Sequence, residues 1–429
     1  MSKPQVKSHK FHYGWVVIFM GMLTTIGAHG FGRMAYTLIL PEMRNGLGLT
    51  WAQSGLLGTG NFIGYLVFAL IGGFLAARYG SRIVISLSLL LMGITMLLTG
   101  MAGSFEFAFA MRLLSGIGNG GSYVPAMALG STWFAMKRRG FATGIVSGGI
   151  GVGTFISGLI VPLILITYGT RGWSYSWYYL GGLVLVISGV CYAFLRNRPA
   201  DLGLLPVGAA ASVDNPAPAP AAGRPSNLQW RLVYRVKEVW HIGIVYFMYG
   251  FSYVIYMTFF KAFLTEEIGI SVGQASAMWA LVGGLSIFCG VIWGGISDIL
   301  GRKYGAALAY LTLACSYIIF ALFNSMGAFY VSLVLFGLSA WSIPTIMAAA
   351  AGDYVGPQLA PAGVGFISLF FGTGQALGPA LGGFIADKTG TFTLAFTAAA
   401  LISMIGLAGS LLLKKPSAEV ILRAEAKSS

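Results

Sequence analysis

The sequence consists of two sets of six long apolar runs, separated by one stretch of different composition. A helix of about 20 apolar residues crosses the hydrocarbon core of a bilayer, and every run reaches that length. The runs lie at residues 14–40, 52–76, 83–102, 106–134, 141–168, 175–195, 239–264, 272–297, 304–324, 327–352, 360–386 and 392–413. This pattern predicts an all-α polytopic membrane protein with twelve transmembrane helices.

The two sets of runs match each other along the sequence. A shift of 221 residues superimposes residues of the second and third spans on those of the eighth and ninth. The matched pairs are Gln53 with Gln274, Gly73 with Gly294, Gly80 with Gly301 and Arg82 with Lys303. An internal duplication of this kind is typical of carriers with a central site between pseudo-symmetric halves. We therefore predict an N-terminal half at 1–195, a linker at 196–236 and a C-terminal half at 237–429.

The charged residues indicate topology rather than a nucleic-acid partner. Only 9% of the residues are charged, against about 25% in an ordinary soluble chain. The net charge is +14, but 20 of the 26 Lys and Arg residues lie in segments that share one side if the N-terminus is cytoplasmic. Positive residues collect on the cytoplasmic side of a membrane protein. The sequence thus predicts an inner-membrane protein with both termini and the linker in the cytoplasm.

The sequence contains no motif of an enzyme, a metal site or a cofactor site. The three cysteines, Cys191, Cys289 and Cys315, lie inside apolar runs without a CxxC or His/Cys spacing, which argues against disulfides and metal binding. A P-loop, a nucleophile elbow and an HExxH motif are all missing from the sequence. We expect no enzymatic activity, no metal and no cofactor.

The first span contains an arginine far from its ends. Placing Arg33 at that depth costs at least ~2.5 kcal/mol, so such a residue normally faces an internal cavity. His29, Tyr36 and Thr37 lie three or four residues away, which places them along the same side of an α-helix. We interpret this stripe as a site where Arg33 holds the anionic group of a transported solute. The alternative is a structural arginine that forms an ion pair or caps a carbonyl inside the bundle.

The loop between spans two and three and the loop between spans eight and nine share a pattern of glycine and basic residues. In the second half, Asp298 ends span eight, and Arg302 and Lys303 begin span nine. We expect this charge pair to hold two helices together in one conformation and to separate in the other. The loop after span two has Arg78 and Arg82, and Arg82 stands at the position that matches Lys303.

These loops resemble the repeated loop signature of the major facilitator superfamily. Ala77 stands where that family has an aspartate, which indicates that the second copy dominates gating. In span four, residues 112–121 resemble the superfamily's membrane-embedded arginine motif. Arg112 would either bind a carboxylate such as Glu106 or stabilise a junction between helices. The resemblance implies the major facilitator fold, with two halves that expose a central site to each side of the membrane in turn.

Residues 12–17, HYGWVV, together with the arginine in span one, are similar to bacterial members of the monocarboxylate and oxalate/formate porter branch. This resemblance implies transport of a small carboxylate, with a proton or in exchange for another anion. In this architecture, spans one, four, seven and ten supply the substrate contacts. Beyond the stripe of span one, the implied substrate residues are Asn119, Tyr123, Tyr249, Tyr253, Lys261 and Trp341, with Gln375 of span eleven.

Several of these assignments have a structural alternative. The tyrosines of span seven either line the cavity or pack in the core. Lys261 is either an outer site that attracts anions or a side chain that extends to the membrane surface. No acidic residue lies plainly in mid-span, so His29 is the candidate proton carrier, although it is at least as well explained as a structural histidine.

The partners expected from the sequence are the bilayer, a small organic anion and either a proton or a counter-anion. In the expected mechanism, anion binding neutralises Arg33 and permits the halves to close around the substrate. Two rival functions remain. One is an exporter of drugs or other amphiphilic compounds, which the 14% aromatic content would suit. The other is a membrane sensor without transport activity.

Overall fold

The part of the chain that the structure describes forms twelve long helices in two sets of six, which confirms the predicted fold class. The computed structural model describes residues 12–209, 233–355 and 359–413. Within those residues the first six helices are α1 Gly14–Leu47, α2 Trp51–Tyr79, α3 Ser81–Gly100, α4 Phe105–Trp133, α5 Met136–Tyr168 and α6 Gly172–Phe194. The second six are α7 Lys237–Glu267, α8 Val272–Leu300, α9 Arg302–Leu322, α10 Met326–Val355, α11 Ala360–Thr389 and α12 Thr393–Leu411.

Length and composition account for most of these spans. In the described part of the chain, nine stretches are long and apolar enough to cross a bilayer, and the bent helix α2 is a tenth. One of the nine, Arg138–Phe194, contains both α5 and α6, which the 3₁₀ turn Gly169–Arg171 separates. Helix α4 is the remaining span; its buried polar residues and glycines lower its apolar character. The domain boundaries stay a prediction, because residues 210–232 of the linker lie outside the described residues.

The largest contacts between the halves are made by two pairs of helices, and a smaller contact joins α1 to α7. Helix α2 packs against α11, and α5 packs against α8. These two contacts are equivalent under the internal duplication, which relates α2 to α8 and α5 to α11. The central space between the halves is therefore bordered by α1 and α4 on one side and by α7 and α10 on the other.

The halves are joined near one end of the bundle, which we call the closed end; it carries the α1–α2, α7–α8 and α11–α12 connections. There, Thr59 Oγ1 of α2 donates to the carbonyl of Ala376 at 2.5 Å. Both carboxylate oxygens of Asp387 accept backbone N–H groups of α2, at 2.8 Å from Trp51 and 2.7 Å from Ala52. An acidic side chain at a helix N-terminus satisfies otherwise unpaired N–H groups and favours the helix dipole.

Small residues permit the close approach of the helices at these contacts. A Cβ atom on Gly55 of α2 would lie 2.0 Å from the backbone oxygen of Pro379 in α11. A Cβ atom on Gly283 of α8 would lie 2.5 Å from the backbone nitrogen of Phe155 in α5. Because real Cβ atoms do not approach backbone so closely, these helices can meet only through glycine.

Two helices lose regular α-helical geometry where they face the central space. Helix α1 contains a π-helical segment at Ile26–Met34, which we call the π segment. Helix α10 is interrupted between Ser339 and Ser342. Irregular backbone inside a membrane protein is tolerated where protein groups satisfy the freed hydrogen bonds, and π-helical turns are frequent at functional sites.

Candidate anion site between the two halves

The π segment determines where Arg33 points. Its hydrogen bonds run one residue further back than in an α-helix; the N–H of Ala35, for example, donates to the carbonyl of Gly30 at 3.0 Å. Gly30 allows close contact with α5, since a Cβ atom there would lie 2.4 Å from the Cα of Gly153. The wider turn places Arg33 towards α7, across the central space.

Two side chains of α4 hold the π segment in place. Asn119 Nδ2 donates to the carbonyl of Ala28 at 2.7 Å, and Arg112 Nη1 donates to the carbonyl of Gly32 at 2.8 Å. Because the two donors are seven residues apart, they lie two turns apart on one face of α4. Both side chains are fully buried. Backbone carbonyls in the membrane interior need such partners, so α4 stabilises the irregular turn.

Arg112 therefore has the helix-junction role. Its guanidinium lies 4.6 Å from the ring centroid of Tyr36 and 5.0 Å from that of Trp177. Glu106, the alternative partner, is exposed, and the described residues show no ion pair between the two. Whether Arg112 also takes part in gating stays a prediction.

We expect Arg112→Met to lower the thermal stability of the purified protein. The substitution leaves the carbonyl of Gly32 buried without its partner, which costs about 1–3 kcal/mol. Scanning fluorimetry in detergent measures the change in Tm. Arg171→Met is the control: Arg171 is exposed, and surface substitutions usually change stability by less than about 0.5 kcal/mol. Equal Tm values for both variants would contradict the assigned role.

Arg33 is buried between the halves without an acidic partner. Its side chain is 6% exposed, and its Nη2 atom donates to the hydroxyl of Tyr253 in α7 at 3.3 Å. The guanidinium lies 4.1 Å from the ring centroid of Phe62 and 5.2 Å from that of Tyr65, both in α2. Among the described residues its Nε atom has no hydrogen-bond partner, and no carboxylate pairs with it.

The residues around Arg33 come from both halves and form what we call the Arg33 cluster. The ring centroid of His29 is 4.2 Å from that of Tyr123 and 5.8 Å from that of Tyr65. On the other side, Gln375 Nε2 donates to the Tyr253 hydroxyl, and Trp341 packs edge-on against Tyr253 at 5.7 Å. Tyr65, Tyr123 and Trp341 are half-buried, so the cluster borders the space between the halves. Its members are His29, Arg33, Phe62, Tyr65, Tyr123, Tyr253, Trp341 and Gln375.

Four other predicted substrate residues use their polar side-chain atoms on protein groups outside this cluster. The hydroxyl of Tyr36 donates to the carbonyl of Ser54 at 2.6 Å within the first half. Thr37 Oγ1 donates to the carbonyl of Met257 at 2.6 Å and so joins the halves. Tyr249 stacks on Tyr253 but uses its hydroxyl on the carbonyl of Ala340, at the interruption of α10. Asn119 holds the π segment, as described above.

Lys261 lies nearer the closed end, in contact with Glu42. Its side chain is 0% exposed, so it does not extend to the membrane surface. An anion site at Lys261 stays a prediction, with the ammonium already paired to a carboxylate.

Sequence analysis missed Phe62 and Tyr65 as members of the cluster. Both belong to α2, which the family resemblance does not place among the substrate-contacting spans. An aromatic residue in an apolar helix carries no signal that separates a cavity wall from core packing. Their contact with Arg33 depends on how α1 and α2 cross, and the sequence does not specify that.

The gating residues predicted from the loops lie at the end of the bundle opposite the closed end. Arg302 Nη1 pairs with Asp298 at 2.6 Å, and its Nε pairs with Asp353 of α10 at 3.1 Å. These contacts tie α8, α9 and α10 together. Lys303 lies over the ring of Tyr304.

The first half has Ala77 where the second half has Asp298, and its loop arginine Arg82 donates to neutral acceptors instead. Arg82 Nε donates to the carbonyl of Tyr192 at 2.7 Å, and its backbone N–H donates to Asn197 Oδ1 at 2.9 Å. Arg78 lies over the ring of Tyr79. A gating role for either loop stays a prediction.

Solved structures with a similar fold include membrane transporters. A bacterial homologue of the human lysosomal transporter Spinster, in an inward-facing and occupied conformation, superimposes with a TM-score of 0.75 at 17% identity, covering 98% of this chain and 99% of that one. A mutant of the nucleoside transporter NupG gives a TM-score of 0.73 at 14% identity, over 93% and 100% of the two chains. The fold is that of a major facilitator transporter.

The family follows from the sequence comparison. The family model MFS_4, described as "Uncharacterised MFS-type transporter YbfB", matches residues 25–411, and the chain belongs to that family. The chain is 25% identical to the "Probable sulfoacetate transporter SauU" of Cupriavidus necator, over 88% of this chain and 89% of that protein. It is 25% identical to the "Hexuronate transporter" of Bacillus subtilis, over 85% and 86%, and 22% identical to "Monocarboxylate transporter 12" of Xenopus laevis, over 90% and 85%.

Proposed function

We propose that this protein carries a small organic anion, a monocarboxylate or a related acid, across the inner membrane by alternating access. The observation that carries the proposal is a buried arginine between the two halves whose guanidinium has no acidic partner among the described residues. The planar guanidinium suits a carboxylate, because it can donate two parallel hydrogen bonds. The names of the relatives, which include sulfoacetate, hexuronate and monocarboxylate transporters, support the same substrate class.

The Arg33 cluster supplies groups for the rest of the substrate. The hydroxyl of Tyr253 already accepts hydrogen bonds from Arg33 and Gln375, so its own proton is free to be donated. His29 Nδ1, Arg33 Nε and Gln375 Oε1 are buried without a partner in the described chain. Buried polar groups of this kind cost free energy unless a partner is supplied. A carboxylate on Arg33 with hydroxyls nearby would satisfy them.

Anion binding also explains how transport would proceed. An unpaired cation between the halves resists the removal of water that full closure requires. A bound carboxylate neutralises Arg33, so the halves can close over the substrate and reopen on the other side. The transported anion is accompanied by a proton or exchanged for a second anion. The charge distribution supports cytoplasmic termini, in which case the closed end faces the outside.

Counterflow into proteoliposomes tests this substrate class. Vesicles preloaded with unlabelled glucuronate or lactate are expected to take up the matching labelled anion with saturable kinetics. Glucose and the methyl ester of lactate, which lack the charge, should not be exchanged because nothing then neutralises Arg33. Uptake of neutral or cationic amphiphiles without uptake of any anion would reject the proposal in favour of an amphiphile exporter.

A further inference from the structure

A buried ion pair joins the two halves at the closed end. Lys261 Nζ of α7 lies 2.7 Å from both carboxylate oxygens of Glu42 in α1, and 2.5 Å from the carbonyl of Leu38. The lysine side chain is 0% exposed, whereas the glutamate side chain is 23% exposed. The cation is therefore shielded from solvent, while the carboxylate remains accessible from the closed end.

The two partners belong to helices that must separate when this end opens. Helix α1 lies in the first half and α7 in the second, so opening withdraws Glu42 from Lys261. Removing one partner of a buried pair is strongly unfavourable, because it leaves an uncompensated charge in a medium of low dielectric constant. While Glu42 is ionised, the pair thus holds the closed end shut.

We propose that Glu42 is the proton-binding site that couples protonation to opening of the closed end. Protonation converts the carboxylate to a neutral carboxyl group and removes the charge that compensates Lys261. Hydration then lowers the free energy of the unpaired Lys261 ammonium, and water can reach it only when the halves separate. Once the end is open, Glu42 is hydrated and takes up a proton more readily than in the pair. Because the open form binds more protons, lower pH favours it.

The other charged groups in this region leave Lys261 as the partner of Glu42. Arg44, on the same helix, donates to Asn45 at 3.0 Å and lies over the Trp51 ring. Glu266 of α7 is exposed and acts on Lys261 only electrostatically. Other ionisable residues lie on α1 itself or on the elements that pack against this part of it, and none of them hydrogen-bonds to Glu42 in the described chain. They are His29 and Arg33 of α1, Tyr65 of α2, Tyr168 of α5, Arg171 of the 3₁₀ turn and Tyr175 of α6.

Asp387 is a second carboxylate that joins the halves at this end, and it differs from Glu42 in its partners. It accepts hydrogen bonds from the backbone N–H groups of Trp51 and Ala52, and its side chain is exposed. Protonation of Asp387 would weaken two hydrogen bonds without leaving a buried charge unpaired. The geometry therefore points to Glu42 rather than Asp387 as the group whose protonation drives opening.

A distance measurement tests the proposal without any substrate. Spin labels at Met101→Cys and Gln274→Cys, both exposed positions in opposite halves at the closed end, report opening after the three native cysteines are replaced. Between about pH 8 and about pH 5, the ratio of long to short distances should rise by up to about tenfold per pH unit, as expected for one proton. A ratio that does not change with pH overturns the proposal.

Matched variants assign the response to the ion pair. Glu42→Gln is expected to give long distances at every pH, and Glu42→Gln with Lys261→Gln should remain closed at every pH because no buried charge is left. Glu266→Gln, the same change at an exposed site, should respond to pH as the unsubstituted protein does. A pH response that survives in the double variant overturns the assignment to Glu42, and one that is lost in Asp387→Asn alone assigns it to Asp387 instead.

Transport measurements then connect the site to the proposed function, on which this last step rests. In proteoliposomes, Glu42→Gln should lose pH-driven accumulation of the anion by at least about tenfold, and its counterflow should also fall and no longer change with pH, because the closed end stays open. Full pH-driven accumulation in this variant overturns the coupling role. Absence of anion transport in the unsubstituted protein would instead reject the proposed function, and the distance measurement would still decide the proton site.

Discussion

Replacing Arg33 with alanine is expected to abolish saturable anion uptake in proteoliposomes. Among the described residues, Arg33 is the buried cation between the halves without an acidic partner, since Lys261 is bound to Glu42 and Arg112 is covered by Tyr36 and Trp177. The Arg33 cluster contains no second arginine or lysine that could replace it. The variant should therefore lose the interaction that distinguishes an anion from a neutral solute.

The size of the effect follows from the hydrogen bonds that are lost. A bond between a charged donor and a carboxylate contributes about 1.5–3 kcal/mol, and a guanidinium forms two such bonds with one carboxylate. The variant should lose about 3 kcal/mol of binding or more, which corresponds to about a hundredfold or greater loss of apparent affinity. Uptake of labelled glucuronate or lactate at a series of concentrations measures this loss.

Arg33→Lys separates the effect of charge from that of geometry. Lysine keeps the positive charge but lacks the planar fork, so we expect an intermediate loss of about tenfold. Both variants should keep the helical content and detergent elution profile of the unsubstituted protein. Unchanged anion uptake in Arg33→Ala would show that the binding site lies elsewhere, although the major facilitator fold would be unaffected.

The sequence predicts the helices well because hydropathy and length determine them. Each of the twelve predicted runs overlaps one described helix, and even the least apolar, α4, has the required length. The internal duplication relates α2 to α8 and α5 to α11. It therefore predicts that a contact between α2 and α11 is matched by one between α8 and α5. Local composition is sufficient for these features.

The details of the Arg33 cluster were less accessible to sequence analysis because of the π segment. A regular α-helix places Arg33, Tyr36 and Thr37 on one stripe. In the structure, Arg33 and Thr37 both contact α7, whereas Tyr36 points into the first half, towards Ser54 and Arg112. The glycines of this stretch indicate close packing, but the sequence alone does not show that the turn widens.

The pairing of Lys261 with Glu42 depends on the arrangement of the two halves. The residues are 219 positions apart, and each lies near the end of a predicted span, where charged residues are common. From the sequence alone, Glu42 resembles an ordinary acidic residue at a helix end. It is therefore not identified when proton carriers are expected in the middle of a span. Contact across the interface between the halves gives this glutamate a buried partner that its position in the sequence does not reveal.

Substituting Gly55 with alanine should prevent the closed end from shutting. The added Cβ atom would lie 2.0 Å from the backbone oxygen and 2.7 Å from the carbonyl carbon of Pro379. These atoms belong to the backbone of α11 and cannot move without shifting the helix. Overpacking of this kind typically costs about 1–3 kcal/mol, which lowers the ratio of closed to open protein by about fivefold to about 150-fold.

Gly58→Ala provides a matched control for this prediction. Gly58 lies nearly one turn further along α2 and faces the same proline, but its added Cβ atom would be 3.4 Å from the Pro379 side chain, an ordinary contact. Counterflow should fall by at least about tenfold in Gly55→Ala and remain unchanged in Gly58→Ala. Spin labels at residues 101 and 274 should show long distances in the first variant only.

The two readouts distinguish a block of closure from a general loss of stability. A misfolded Gly55→Ala protein would lose transport but would give a broad distance distribution rather than a defined long distance. Gly383→Ala offers an independent check from the other half, since its Cβ atom would lie 2.1 Å from the backbone oxygen of Trp51. If both variants close and transport normally, the contact between α2 and α11 is not required for alternating access. If both variants remain open at this end, transport depends on these glycines. They permit the close contact between α2 and α11 that shuts this end before the site opens on the other side.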